Sequence, residues 1–194
     1  MCEACWAGIR LAPQLNERYS SHAVDWACAV DRYEGRMKDI IHSLKYERRR
    51  SIAPPLGALM RECGAELLRD ADVVVPVPLH PRREYERGFN QAHDLAAQLG
   101  LPVASMLARV KHTHSQIELP KHERQQNVKG AFAWIDEPSG SSIRVAVLVD
   151  DVSTTGATLE SCARVLKANG VKEVRAVTAA RVVNDRLLPS RWPG

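Results

Sequence analysis

VLVDDVSTTGATL, residues 147–159, is the stretch of this sequence that decides its fold. An apolar run ends in two adjacent carboxylates, Asp150 and Asp151, and a segment rich in hydroxyl groups and glycine follows. With a buried strand before the carboxylates and a helix from Thr158 onward, the residues between them form a tight turn at the carboxyl edge of a sheet. Backbone N–H groups converge there at a helix N-terminus, where the helix dipole contributes about half a positive charge. The pattern therefore predicts an anion site.

The side chains of this turn indicate which anion it binds. Hydroxyl groups of Thr154, Thr155 and Thr158 supply further donors, and Gly156 lets a phosphate approach the backbone closely. Carboxylates beside a phosphate site suit a ligand with both a phosphate and a vicinal diol, such as ribose 5-phosphate, because carboxylates accept hydrogen bonds from sugar hydroxyls. The alternative is a helix-capping turn whose threonines fill exposed positions, and the residue types alone leave both open. The P-loop pattern and the Rossmann fingerprint are both absent.

Strand and helix patterns alternate along the rest of the chain. Short apolar runs predict strands within 23–33, 72–78, 131–135, 143–149 and 172–183. Apolar residues at helical spacing predict helices within 35–47, from Ser51 as N-cap past Pro54 and Pro55, from Phe89 to Gly100, and from Thr158 to Gly170. Residues 79–88 are predicted to form a loop, and 110–129 a long connection of a kind that usually carries function. This alternation predicts an α/β fold, with a mainly parallel sheet and helices on both faces.

The charge and hydropathy of the sequence limit the classes of function that suit this protein. At 194 residues, with 45% hydrophobic and 26% charged residues, the chain is expected to form one main globular domain. Its net charge of +4 is concentrated in clusters at 45–50, 82–87 and 121–129, which suit phosphates on nucleotides or nucleic acids, although solvated helix faces are the alternative. No segment approaches the ~20 apolar residues of a membrane span, and no signal-peptide core is present. We therefore expect a cytoplasmic protein without membrane insertion.

The stretch 147–159 closely resembles the phosphoribosyl pyrophosphate (PRPP) signature of type I phosphoribosyltransferases: an apolar strand, two acidic residues and a Thr-Gly phosphate loop. Other segments resemble one branch of that superfamily, the competence protein ComF family, which includes GntX-like proteins. They are YEGRMKDIIHSLKY (33–46), VPVPLHPRREYERGFNQAHDLA (75–96), R-x3-T-x2-Q-x2-L (109–119) and R-x2-N-x2-GAF (124–132). The resemblance implies a type I phosphoribosyltransferase fold over residues 23–190.

The resemblance also implies roles for individual residues. Asp150 and Asp151 would hold the ribose hydroxyls, and the 5-phosphate would contact Ser153, Thr154, Thr155, Gly156, Ala157 and Thr158. The pyrophosphate would lie against Leu79, His80, Arg82, Arg83 and Arg87, where bidentate guanidinium contacts suit its charge. Solvated loop arginines are the alternative for this segment.

A lid and a metal ion are implied as well. The long polar connection corresponds to a flexible lid that would include Thr113, Gln116, Arg124 and Asn127. Arg124 joins Asp150 and Asp151 as a residue expected to take part in catalysis, and lid closure would exclude water from a transition state of oxocarbenium character. Asn127 has a local turn-forming role as its alternative. Mg²⁺ would bridge pyrophosphate and ribose oxygens and help the leaving group depart, and no protein residue is assigned as a metal ligand.

The N-terminus departs from the family pattern. Relatives commonly begin with a four-cysteine zinc ribbon, and Cys2 and Cys5 resemble only its second C-x-x-C pair. Structural zinc needs four ligands, and His22 and Cys28 do not complete a set at a standard spacing. We interpret residues 1–22 as a remnant of a zinc-ribbon-like segment and do not expect zinc.

Two functions follow from the resemblance. The first is an enzyme that binds PRPP with Mg²⁺ and transfers its ribosyl 5-phosphate group to a nitrogen nucleophile or to water. Thr154 stands where 6-oxopurine enzymes carry an aspartate, so no acceptor is indicated. The second is a non-catalytic module of natural competence, in which basic segments handle single-stranded DNA during DNA uptake and a competence helicase is a partner. Aromatic residues make up only 5%, so stacking platforms for bases are few, with Tyr85 and Phe89 nearest a basic cluster.

Overall fold

A computed structural model of the protein describes residues 22–110, 130–135 and 143–183, together with residues 6, 9, 11–12 and 15–18. The strands are β1 (Glu17–Arg18), β2 (Trp26–Arg32), β3 (Val73–Pro76), β4 (Leu107–Arg109), β5 (Phe132–Trp134), β6 (Val145–Ser153) and β7 (Glu173–Arg181). The helices are α1 (Gly35–Tyr46), α2 (Ala53–Cys63), α3 (Ala65–Leu68), α4 (Pro81–Arg87), α5 (Gln91–Ala96) and α6 (Ala157–Ala168).

The main sheet has the strand order β1-β2-β7-β6-β3. β2, β7, β6 and β3 are parallel, and β1 pairs with β2 in the antiparallel direction. β4 and β5 form a separate antiparallel pair. Val77 donates its backbone N–H to the carbonyl of Val149, so β3 and β6 end at the same edge of the sheet. The predicted α/β fold with a mainly parallel sheet is confirmed.

Helices cover both faces of this sheet. Successive strand residues point to opposite faces, and β6 separates its apolar residues accordingly. Val147 and Val149 belong to one core, shared with α1, α2, α3 and α5. Ala146 and Leu148 belong to a second core, shared with α6 and the β4–β5 pair. Burial on both faces explains why β6 reads as a continuous apolar run in the sequence.

The segment predicted to be a loop, 79–88, contains the helix α4, so that prediction is wrong. Pro81 occupies the first turn, where its missing N–H costs nothing. The Nδ1 atom of His80 accepts a hydrogen bond from the N–H of Arg82 at 3.3 Å, and Gly88 ends the helix in the left-handed conformation at φ 82°. Proline at the start and glycine at the end are helix signals that the sequence already carried.

Two helix starts also differ from the sequence prediction. Ser51 is not the N-cap of α2, because a short 3₁₀ helix, Arg50–Ile52, leads directly into it. Pro54 and Pro55 lack N–H groups, so the first turn of α2 needs fewer capping partners. The helix predicted from Phe89 begins at Gln91, with the side chain of Asn90 as its N-cap.

Several predictions fall outside the described residues. The proposed lid residues Thr113, Gln116, Arg124 and Asn127 lie there, and so do Cys2 and Cys5. The lid, the absence of zinc and the domain limits at 22 and 190 therefore stay predictions. Within the described ranges, no helix is long and apolar enough to cross a membrane.

Candidate functional site

A cavity of about 500 Å³ opens where β3 and β6 end. Its acidic residues are Glu86, Asp150 and Asp151, and its basic residues are Lys45, Arg48, Arg83, Arg87 and Arg109. Other parts of its wall come from Tyr33, Tyr46, Val77, Pro78, Leu79, Gln91, Val152, Thr154 and Thr158. Because basic groups outnumber acidic groups, the cavity favours an anionic ligand, and the carboxylates add acceptors for ligand hydroxyls.

Asp151 is buried at the end of β6 and is held by two other elements. Its side chain is only 3% exposed and forms an ion pair with Lys45 of α1. Its Oδ1 atom accepts a hydrogen bond of 3.0 Å from the amide of Gln91 on α5. Burial alone would raise the pKa of Asp151, but the charge of Lys45 and these hydrogen bonds outweigh it and lower the pKa. Asp151 is therefore ionised at neutral pH.

Asp150 has a different environment, although it is the neighbouring residue. It is half-buried, and its Oδ1 atom accepts a hydrogen bond of 2.8 Å from the N–H of Asp151. Burial and the charge of Asp151 raise the pKa of Asp150 well above its ordinary value. Lys45 therefore outweighs burial at Asp151, whereas at Asp150 burial and the charge of Asp151 outweigh the effect of Lys45 on the pKa.

The turn after β6 has the conformation that its sequence predicts. Gly156 lies at φ 75° at the N-cap position of α6, where it has no side chain to form a capping hydrogen bond. The hydroxyl of Thr155 accepts from the N–H of Ala157 at 3.4 Å, whereas Thr154 and Thr158 line the cavity. The carboxylate of Asp151 contacts α1 and α5 and does not cap α6, which argues against the helix-capping alternative.

Only part of the predicted pyrophosphate segment reaches the cavity. Leu79, Arg83 and Arg87 line it. Arg82 does not line it and forms a 2.8 Å ion pair with Glu86 of the same helix, and His80 caps α4. Pyrophosphate binding by all five residues stays a prediction, but the geometry favours the three that line the cavity.

Arg87 is the most constrained of these arginines. It hydrogen-bonds Gln91, and its guanidinium carbon lies 5.7 Å from the centre of the Tyr46 ring. Burial lowers its pKa despite the opposing effect of Asp151, yet a guanidinium remains charged at any physiological pH. A fixed cation is thus available at the cavity wall.

The sequence pattern of the phosphoribosyl transferase domain family matches residues 57–193. The chain is 38% identical over 119 residues to competence protein F of Haemophilus influenzae, which covers 59% of this chain and 52% of that protein. It is 34% identical over 168 residues to DNA utilization protein YhgH of Salmonella typhimurium, covering 80% and 71%. It is 33% identical over 193 residues to competence protein ComFC of Bacillus subtilis, covering 88% and 79%.

The chain belongs to the ComF family of phosphoribosyltransferase-domain proteins. Its alignment with competence protein F spans about half the length of that relative. The resemblance inferred from the PRPP signature is therefore confirmed at the level of family and fold.

Sequence reasoning missed the residues that support the acidic pair. Lys45 and Gln91 both lie within segments that resemble the ComF family, but neither was assigned to the site. Arg109 was also missed, although its charge acts on the same cavity as Asp150. Residue spacing carries no signal for contacts between elements so distant in sequence, since Gln91 and Asp151 are 60 residues apart.

The basic cluster at 45–50 is engaged largely within the protein. Arg48 donates to the carbonyl of Glu86 at 2.6 Å and has a positive φ of 54°. Arg50 forms two hydrogen bonds, of 2.6 and 2.7 Å, to the carboxylate of Asp94. These contacts tie the chain after α1 to α4 and α5. The cluster therefore contributes to the architecture of the site, in addition to any role toward phosphates.

Proposed function

We propose that this cavity binds PRPP and that the protein is a Mg²⁺-dependent phosphoribosyl-transferring or phosphoribosyl-hydrolysing enzyme. One observation carries the proposal: a carboxylate, Asp150, lies in the same cavity as the phosphate-loop hydroxyls of Thr154 and Thr158 and the guanidinium groups of Arg83 and Arg87. These are the three kinds of group that a sugar carrying a 5-phosphate, a vicinal diol and a pyrophosphate requires.

Each of these groups would have a specific role in binding and reaction. The loop from Thr154 to Thr158 would hold the 5-phosphate at the N-terminus of α6, and Asp150 would accept hydrogen bonds from the ribose hydroxyls. Arg83 and Arg87 would bind the pyrophosphate and stabilise the charge that grows on it as the C1–O bond breaks. A nitrogen nucleophile or water would then form the new bond at C1 from the opposite side.

The residues present fit a divalent cation that arrives with the ligand. No group of three or more His, Cys, Asp and Glu side chains occurs among the described residues, so those residues do not form a complete metal cage. Mg²⁺ commonly binds through one or two carboxylates and the phosphates of a substrate. Asp150 is the suitable carboxylate, because it lines the cavity and is half-buried, whereas the carboxylate of Asp151 is buried against Lys45. When bound, the cation would neutralise charge on the leaving pyrophosphate.

Calorimetry tests this function directly. PRPP and ribose 5-phosphate are titrated into the protein, first with Mg²⁺ and then with a chelator. We expect PRPP to bind more tightly than ribose 5-phosphate and only when Mg²⁺ is present, because the arginines and the cation both act on the pyrophosphate. Equal binding of the two ligands, or binding of neither, would refute a working pyrophosphate site.

A second function, the handling of single-stranded DNA, is favoured by a different surface. Tyr85 on α4 is 89% exposed and lies about one helical turn after the exposed Arg82. An exposed aromatic ring beside basic groups suits stacking on a base and contact with the phosphate backbone. The names of the relatives, competence protein and DNA utilization protein, are consistent with this function.

Binding of a labelled single-stranded oligonucleotide at several salt concentrations tests the second function. We expect affinity to fall steeply with salt. Tyr85→Ala should weaken binding by roughly 1–3 kcal/mol, the typical contribution of one stacked base. Tyr85→Phe keeps the ring and serves as the matched control. Binding that does not depend on salt, or equal binding by Tyr85→Ala and Tyr85→Phe, would contradict a role for this surface.

A further inference from the structure

Strand alternation directs Asp150 and Asp151 toward opposite faces of β6, although both carboxylates line the same cavity. Asp151 continues the alternation of Val147 and Val149, toward the face that α1 and α5 cover. Asp150 continues the alternation of Leu148, toward the face covered by α6 and the β4–β5 pair. Its charge correspondingly affects Arg109 on β4 and Cys162 on α6. Both carboxylates also act on Lys45 and Arg87, but their direct contacts differ. Asp151 contacts Lys45 and Gln91, whereas Asp150 accepts from the N–H of Asp151.

The carboxylate of Asp151 is already bound by protein groups. Gln91 contacts its Oδ1 atom, and Lys45 pairs with its Oδ2 atom. The side chain of Lys45 is 19% exposed and that of Asp151 is 3% exposed, so little of this pair is open to a ligand. The other charged or titratable groups that act on the pair are Asp150, Arg87 and Tyr33.

We propose that Lys45 is a positioning residue, whose ion pair with Asp151 fixes α1 against the end of β6 and leaves Asp150 as the carboxylate that receives the ribose hydroxyls. This inference rests on the proposed function. It assigns different roles to two aspartates that the family resemblance treats alike. It also gives α1 a part in the site, although α1 lies outside the PRPP signature.

The surroundings of Lys45 explain why its removal would affect ligand binding. A buried carboxylate without its cation is strongly destabilised, so Asp151 would rotate toward solvent or take up a proton. The end of α1 also contacts α4, because Tyr46 stacks near Arg87 and Arg48 donates to the carbonyl of Glu86. Movement of α1 would therefore displace the arginine helix as well as the acidic pair.

A double-mutant cycle on PRPP affinity tests the inference. The unmodified protein, Lys45→Met, Asp151→Asn and the double variant are titrated with PRPP and Mg²⁺, and circular dichroism measures how much of each is folded. Each single change leaves a buried charge unpaired, and we expect it to weaken binding roughly tenfold or more. In the double variant both charges are gone and the new amide oxygen still accepts from Gln91, so affinity should return to within about threefold of the unmodified protein.

The outcomes separate this inference from the proposed function. If the unmodified protein does not bind PRPP, both fail. If it binds but the double variant is no better than Asp151→Asn, then Asp151 itself holds the ligand and the positioning role is overturned. A folded Lys45→Met variant with unchanged affinity would also overturn it, since that result indicates a purely structural pair. If Lys45→Met does not fold, the comparison of Asp151→Asn with the double variant still tests the positioning role of Lys45.

Discussion

The side-chain amide of Gln91 donates a 3.0 Å hydrogen bond to Asp151, and so joins the first residue of α5 to the end of β6. Replacing it in Gln91→Met keeps the volume but removes the donor. We expect a loss of about 1–2 kcal/mol in unfolding free energy, because a buried carboxylate loses one partner. Affinity for PRPP should fall roughly threefold to tenfold, because Gln91→Met removes both this bond and the amide oxygen that accepts from Arg87 at the cavity wall.

Urea denaturation and calorimetry measure these two effects. Gln98→Met is the matched control, since the side chain of Gln98 donates to the carbonyl of Asp94 at 3.3 Å and does not line the cavity. The control should leave PRPP affinity unchanged. Equal affinity losses in both variants would show that the contacts of Gln91 with Asp151 and Arg87 have no special role in ligand binding.

Glu160 gives the protein a specific dependence on pH. Its carboxylate on α6 accepts hydrogen bonds from the N–H groups of Ala23, at 2.9 Å, and Val24, at 3.3 Å. Burial would raise its pKa, but these bonds and Arg164 outweigh burial and lower the pKa below its ordinary value of 4.5. A lowered folded pKa means that Glu160 stabilises the protein above that value and loses this effect as pH falls through the folded pKa.

Glu160→Gln should therefore lower the unfolding free energy by about 1 kcal/mol at pH 7, the usual net contribution of such a bond. The loss of unfolding free energy should become progressively smaller below pH 4.5. Urea denaturation across pH 3–7 checks this expectation, a range chosen to span the ordinary carboxyl pKa values. Glu66→Gln on the exposed side of α3 is the control, and its unfolding free energy should stay within about 0.5 kcal/mol of that of the unmodified protein at every pH. A difference independent of pH would contradict the account.

Gly57 marks a close approach between α2 and the chain after α5. A Cβ atom there would lie 2.3 Å from the Cβ of Gln98 and 2.7 Å from its Cγ, which forces the backbone to shift. Overpacking of this kind costs about 1–3 kcal/mol. The gain in helix propensity from Gly57→Ala is only about 1 kcal/mol, so we expect net destabilisation. Thermal unfolding measures it, with exposed Ala58→Ser as control, and an increase in stability would contradict this packing.

Gly156 and Gly170 lie at opposite ends of α6 and allow a matched comparison. Both have positive φ, 75° and 100°, and an added Cβ would have no atom within 4 Å. Each change to alanine should lower the unfolding free energy by about 1–2 kcal/mol, because alanine disfavours the left-handed conformation. Only Gly156→Ala should also weaken PRPP binding, because only Gly156 belongs to the phosphate loop. Equal effects on affinity would indicate that the loop does not bind phosphate.

The layered fold was predictable because it depends on local patterns. The continuous apolar run before Asp150 and the helical spacing of Leu159, Cys162 and Leu166 each indicate one element, and the structure contains both. The helix α4 was missed because its arginines were interpreted as a loop, even though Pro81 and Gly88 bracket it. Local helix signals were therefore present in this segment, and the loop prediction did not take them into account.

The site was predictable only in part. The signature predicted the turn between β6 and α6 that carries the acidic pair and the threonines, because their order along the chain is itself the pattern. The contacts of Lys45 and Gln91 with Asp151 depend on how α1 and α5 pack on the sheet, and no spacing between them encodes that geometry. The different contacts of Asp150 and Asp151 likewise depend on which helices pack beside each carboxylate, and adjacent letters of the signature do not encode that packing.

The central claim is that Asp150 lies in a working PRPP site, and one titration tests it most directly. PRPP with Mg²⁺ is titrated calorimetrically into the unmodified protein and into Asp150→Asn. Because burial and Asp151 already raise the pKa of Asp150, a neutral amide should leave the fold intact, which thermal unfolding checks. We predict binding by the unmodified protein and a loss of roughly a hundredfold or more in the variant, because Mg²⁺ that arrives with the ligand would need an ionised carboxylate at this position. Equal affinity in the two proteins would contradict the account.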